Sequence, residues 1–194
     1  MVRTYAYSAD FDKETEKLFR KAVFLGEGHN GIVYELPENK AIKIFQEAKV
    51  CREEAEILKQ VSKSTYFPHV YNIGQLYMVR EKIGGERLDD FIKKNGMSRE
   101  LAKNLYKLIN EFKKLKFTKL DMRCRDIYVK ESLSIKVIDP KECYKRKVTY
   151  PRHLMKGLKK LDCLDSFLDY IKDIDKRSWE DWEKKMKQYL YELE

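Results

Sequence analysis

The sequence predicts an α+β protein in two parts, strands with a single helix first and mostly helices around a small hairpin second. Three observations predict this class. Short apolar runs punctuated by turn residues fill 22–45, and a helical period takes over at 47. From Ser98 onward apolar residues recur at helical spacing, interrupted only by two short strand-like runs. A chain of 194 residues has room for one domain or for two small lobes, and a hinge is expected near 81–86.

The elements follow in order. "AVFLGEG" runs into a glycine-rich turn, "GIVYEL" leaves it, "PENK" turns again, and "AIKIF" is a compact apolar strand around Lys43. Ala48, Cys51, Ala55, Leu58 and Val61 recur at helical intervals, so 47–61 reads as a helix. "FPHVYNIGQLYMVREKI" reads as two strands separated by "IGQ". "GGE" breaks the pattern, and "RLDDFIKKNG" is a short helix ending at Gly96. Ser98 is a suitable N-cap for a long helix with Leu101, Leu105, Leu108, Ile109, Phe112 and Leu115 on one face. "DIYV" and "LSIKVID" are the two strand-like runs. The tail is helical from Leu154, and a last amphipathic stretch carries Trp179 and Trp182, read as a packing seal.

Composition bounds the function more loosely. Apolar residues make up 43% and aromatic residues 12%, enough for a core, and the net charge is +9. Such a charge attracts polyanions of every kind, and solvated helix faces account for it equally well. Cys51, Cys124, Cys143 and Cys163 form no C-x-x-C pair, and no leader-like segment opens the chain. They read as reduced thiols, which implies a cytoplasmic location. The three histidines lack metal-ligand spacing, and no apolar run is long enough to predict a membrane partner.

The chemistry is concentrated in a few residues. Gly26, Gly28 and Gly31 stand in a G-x-G-x-x-G frame, where missing Cβ atoms let backbone N–H groups approach phosphate oxygens. Lys43 lies on the strand after next, within reach of such phosphates. The helix that follows carries "REEAEIL". Glu54 on its inner face is the better candidate to orient Lys43 through a charge-assisted pair, and Glu53 is the fallback. Asp121 precedes Asp126 by five residues, and Asp139 ends an apolar strand in a common metal-ligand position. A nucleotide phosphate, a cation and acids in this order meet the requirements of phosphoryl transfer from ATP. Taken singly, the glycines could be an ordinary hairpin, Asp139 a strand-end cap and Asp126 a salt-bridging loop acid.

In combination these residues resemble the protein-kinase-like superfamily. Gly26, Gly28, Gly31 and Val33 match its glycine loop, and Ala41-Ile42-Lys43 matches its third strand. "YMVREKIGGERLDDF" is similar to the family hinge. Asp121 matches the catalytic-loop aspartate, Asp126 falls on the metal-binding Asn, and Asp139 on the acid of D-F-G. The likeness covers 20 to about 145. It extends to short bacterial proteins described as serine/threonine kinases and, more loosely, to RIO-type kinases. It implies a compact two-lobed kinase-like fold, a single domain with a first lobe over 1–81 and a reduced helical second lobe over 82–194.

The resemblance also implies roles. Leu25, Val33 and Ala41 would roof the adenine of ATP, with Tyr128 and Ile138 beneath it. Backbone groups of Glu81 and Ile83 would bond its edge. Lys43 would hold phosphate and be oriented by Glu54, Asp121 would orient the acceptor hydroxyl, and Asp126 and Asp139 would ligate Mg²⁺. The expected activity is transfer of the γ-phosphoryl group to Ser or Thr of a protein, and an acidic acceptor would dock on the basic segment 145–160.

The departures from the family pattern are specific. Lys119-Leu120 replaces His-Arg, Asp126 replaces Asn, and Pro140-Lys141 replaces Phe-Gly. Glu54 lies only eleven residues after Lys43, and no A-P-E sequence follows. Two alternatives therefore stand beside the enzyme: a nucleotide-binding pseudokinase scaffold, and a kinase-like module acting on RNA or ribosomes.

Overall fold

The computed structural model describes residues 10–140 and 142–191. The first nine residues of the expected first lobe, Lys141 of the Pro140-Lys141 pair, and 192–194 lie outside the described residues. The protein is α+β, and it divides into two compact units, Met1–Ile83 and Gly84–Glu194.

In the first unit, strands β1 (Val23–Gly28), β2 (Gly31–Leu36), β3 (Lys40–Phe45), β4 (Val70–Ile73) and β5 (Tyr77–Glu81) form one antiparallel sheet. Their order is β1-β2-β3-β5-β4. Alternation sorts the side chains onto two faces. Ile32, Tyr34, Leu36, Ile42, Ile44, Tyr77 and Val79 make one apolar face. A short helix, α1 (Lys13–Phe19), covers it with Leu18 and Phe19. Sequence periodicity finds no element there, because seven residues are too few to repeat a pattern. What holds α1 is its cap: Asp12 accepts from Thr15 N at 2.8 Å, Tyr77 Oη at 2.7 Å and Asn72 Nδ2 at 2.6 Å. These bonds hold the Asp12 carboxyl far below the ordinary carboxylate range, the backbone bond from Thr15 contributing most. The opposite face carries Val33, Ala41 and Lys43. Helix α2 (Ala48–Gln60) buries Cys51, Glu54, Ala55 and Leu58, close to the expected period.

The second unit begins with a two-residue strand, β6 (Glu86–Arg87), which pairs with β7 (Ile127–Val129), itself paired with β8 (Ile135–Val137). The sequence shows no strand at 86–87, since only the pairing to Tyr128 and Val129 makes it one. Helix α3 (Leu88–Asn95) ends at Gly96 as expected. Helix α4 (Arg99–Lys114) is capped by Ser98, whose Oγ accepts from Leu101 N at 3.2 Å. It buries Leu101, Leu105, Leu108, Ile109 and Phe112.

The expected helical tail is three helices, α5 (Arg152–Lys160), α6 (Leu164–Ile174) and α7 (Lys176–Tyr191). The first break is a Schellman closure. Cys163 N donates to Leu158 O and Asp162 N to Lys159 O, both at 3.1 Å, with Asp162 left-handed at φ 53°. Glycine usually marks such a stop; an aspartate there hides it in the sequence. Trp182 is buried and stacks on Phe167 at 6.4 Å, the seal expected of it. Among the described residues no helix is long and apolar enough to cross a membrane.

The glycines of the first hairpin differ in what they do. Gly31 has φ +148°, and a Cβ there would lie 1.9 Å from Ile44 O. A Cβ on Gly26 or Gly28 would meet nothing within 4 Å. Gly31→Ala should therefore destabilise the protein by about 2 kcal/mol or more, through backbone strain and a forced shift of β3. Gly28→Ala should change stability by less than about 1 kcal/mol. Urea unfolding of the two variants checks the contrast.

Candidate functional site

The first cluster is built by strand register. β1 and β2 meet through a two-residue turn, with Gly28 opposite Gly31. A register shift between Phe24 and Gly26 sets Leu25 and Gly26 together against Val33, as in a β-bulge. Val33 in turn faces Lys43, and Lys43 faces Met78, so these side chains form a row across the sheet. Ala41 lies two pairs further along, between Glu35 and Arg80. Leu25, Val33, Ala41 and Lys43 thus share the face that α1 does not cover. Leu25 is exposed, Val33 half-buried and Ala41 buried.

Lys43 is 8% exposed and Glu54 is 5% exposed. Their Nζ and Oε2 atoms meet at 2.5 Å. The ammonium also lies 4.7 Å from the centroid of the Phe45 ring. Cys51, one turn before Glu54, has its thiol pushed up to about 11, by burial first and by the Glu54 charge second. It is therefore a packing residue, not a nucleophile.

Glu81 ends β5 and donates its N–H to His69 O at 2.7 Å, while its carbonyl accepts from Arg80 Nη1 at 3.3 Å. Ile83 is half-buried, the last residue of the first unit.

The second cluster lies wholly in the other unit. Asp126 closes a 3₁₀ turn, Cys124–Asp126, directly before β7. Its carbonyl accepts from Ile138 N at 2.9 Å, which brings the end of β8 and Asp139 alongside. Burial first, and the Asp139 charge second, raise the Asp126 carboxyl above the ordinary range. A cation between such acids would relieve the effect. Asp139 is left-handed at φ 58°, a conformation that aspartate tolerates better than most residues. Among the described residues no group of three or more His, Cys, Asp or Glu is placed to hold a metal. Two carboxylates suit Mg²⁺, which keeps waters and takes further oxygens from a phosphate substrate. Tyr128 pairs with Lys136 across the hairpin, and both Tyr128 and Ile138 are half-buried.

Asp121 departs from its expected setting. Its side chain is 0% exposed. Oδ1 accepts from His153 N at 2.8 Å and Leu154 N at 3.4 Å, the orphan donors at the start of α5. Oδ2 bonds to His153 Nδ1. The carboxylate expected to face an acceptor hydroxyl instead caps a helix. Sequence reasoning does not find His153, which lies 32 residues away.

The basic segment 145–160 is correspondingly not a loop throughout. Its second half is α5, and its first half is tied by Thr118 Oγ1 to Arg146 O at 2.8 Å and by Leu120 N to Val148 O at 2.7 Å. Lys145, Arg146 and Lys147 are exposed, and Arg146 pairs with Glu142 at 3.3 Å.

No protein-family model matches the chain. Over 141 residues it is 24% identical to a Bacillus subtilis (strain 168) protein named "Putative serine/threonine-protein kinase YrzF". The match covers 70% of this chain and 65% of that protein, so the chain spans just under two thirds of its relative. The chain is thus distantly similar to a protein named as a kinase. That likeness was expected from the glycine frame, Lys43 and the ordered acids.

The buried pair gives a stability test. Lys43→Met leaves a buried carboxylate without its cation and should cost about 3 kcal/mol. The double variant Lys43→Met/Glu54→Leu should recover most of that loss, because no unpaired charge remains. Urea denaturation of both variants checks it.

Proposed function

We propose that the chain is an ATP- and Mg²⁺-dependent phosphotransferase with a two-lobed, kinase-like fold, acting on a serine or threonine hydroxyl of a protein. The buried Lys43–Glu54 pair carries this reading. Enclosing an ammonium is costly, and a carboxylate that only neutralised it would be replaceable by apolar packing. A lysine held in one position on the same sheet face as Val33 and Ala41, behind a hairpin with open space at Gly26 and Gly28, suits a nucleotide's phosphates.

On this reading Gly26 and Gly28 let backbone N–H groups approach the phosphates, and Lys43 holds the α and β groups. Leu25, Val33 and Ala41 would pack against the adenine, and Tyr128 and Ile138 are the residues of the second unit that would contact it. Glu81 and Ile83 bond its edge through backbone groups. Asp126 and Asp139 would hold Mg²⁺, which neutralises charge on the transferring phosphoryl group. The distant similarity to a protein named as a serine/threonine kinase supports the substrate class.

A second reading has its own observation. The burial of Asp121 favours a nucleotide-binding scaffold that does not transfer phosphate. Turnover of ATP separates the two.

Mg·ATP should raise the melting temperature, since a ligand that binds only the folded state stabilises it by mass action. Asp139→Ala should lose the Mg²⁺-dependent part of that rise and keep the rest. An unchanged melting temperature at about 100 times an ordinary micromolar Kd, where about 2.7 kcal/mol of stabilisation is due, would overturn the reading.

A further inference from the structure

The side chain expected to orient the acceptor hydroxyl is sealed, but the residue bonded to it is not. Asp121 is fully buried, and its two oxygens face His153 N, Leu154 N and His153 Nδ1. The His153 side chain is 35% exposed. A carboxylate only accepts hydrogen bonds, so Nδ1 carries the hydrogen and the lone pair of the neutral ring sits on Nε2. The ring is thus oriented from behind by a buried acid while part of it stays exposed, the arrangement that prepares a histidine for proton transfer.

The surroundings hold this dyad in place. His153 is in the first turn of α5, whose backbone N–H groups are already fastened to Asp121. The same helix lies against the 3₁₀ turn that carries Asp126. Cys124 Sγ donates to Leu154 O at 3.7 Å, and a Cβ on Gly157 would sit 2.5 Å from that sulfur. Any larger residue there would force the sulfur to shift. Burial pushes the Cys124 thiol up to about 12, so the sulfur is a spacer between helix and turn and not a rival nucleophile.

We propose that His153 is the catalytic base of the chain's phosphotransfer and that Asp121 is its positioning residue. This rests on the phosphotransferase reading above. Nε2 takes the proton from the acceptor hydroxyl as that oxygen attacks the γ-phosphorus. The new O–P bond forms, and the bond from the γ-phosphorus to the β–γ bridging oxygen breaks. Its electron pair leaves with ADP. The proton resides on the His153 imidazolium beside the Asp121 carboxylate and is then released to water.

The test follows labelled γ-phosphoryl transfer from Mg·ATP to water and to dephosphorylated casein, with ATP affinity measured by calorimetry on the same samples. His153→Asn keeps a donor for Asp121 and removes the base. It should lower kcat by about 100-fold, within the range for a general base, while ATP affinity stays within about twofold. His153→Ala should fall similarly and regain activity when imidazole is added; a merely structural role would not respond to imidazole. Asp121→Asn should lower kcat through the misplaced ring and show no imidazole rescue. Wild-type rates in His153→Asn would overturn the proposal and leave the kinase reading intact. Equal loss of ATP affinity in His153→Asn would also overturn it, placing the ring at the nucleotide. Wild-type protein that binds ATP but transfers to neither acceptor would overturn both.

Discussion

A lysine ammonium removed from water is tolerated only beside an opposite charge at hydrogen-bond distance, and this constraint organises the first unit. Lys43 must lie on the sheet face away from α1, so the register of β2, β3 and β5 is set by which residues can flank it. Val33 and Met78 do so. Glu54 must reach the same point from α2, which fixes the rotation of that helix and puts Cys51, Ala55 and Leu58 into the core beside it. The β-bulge at Leu25 and the glycine turn then fall on the same face as the ammonium. One ion pair thereby links the hairpin, the central strand and the helix.

The second unit repeats the principle with different chemistry. Asp121 is buried against backbone N–H groups and the His153 ring. The start of α5 supplies its donors, and the partial positive charge of a helix N-terminus favours the carboxylate. Because α5 is anchored there and pressed on Cys124 through Gly157, the helix also fixes the turn that presents Asp126. Asp139 adds its charge to that of Asp126. A buried cap and an acid raised by burial and by a neighbouring charge are thus built from one short stretch, 121–126, together with the residues that fold back on it.

Much of this was legible beforehand. The strands at 23–45, α2, α3 and α4 follow from alternation, helical spacing, Ser98 and Gly96, all local signals. Other features were hidden because their cause is not local. α1 is too short to show a period and depends on Asp12 bonding to Tyr77 and Asn72, far along the chain. β6 exists only through its neighbour strand. The tail's first break uses left-handed Asp162, where a glycine would have announced it.

The residues by themselves determined the α+β class, the glycine frame, the lysine strand and the order of the acids. Each of these is a matter of residue type and short-range spacing, where sterics and periodicity act within a few positions. Tertiary structure alone decided what surrounds each side chain. That Glu54 meets Lys43, that the Asp139 charge bears on Asp126, and that Asp121 turns inward to His153 depend on contacts between distant segments. A carboxylate's behaviour is set by its hydrogen-bond donors and its access to water, and both are properties of the folded chain.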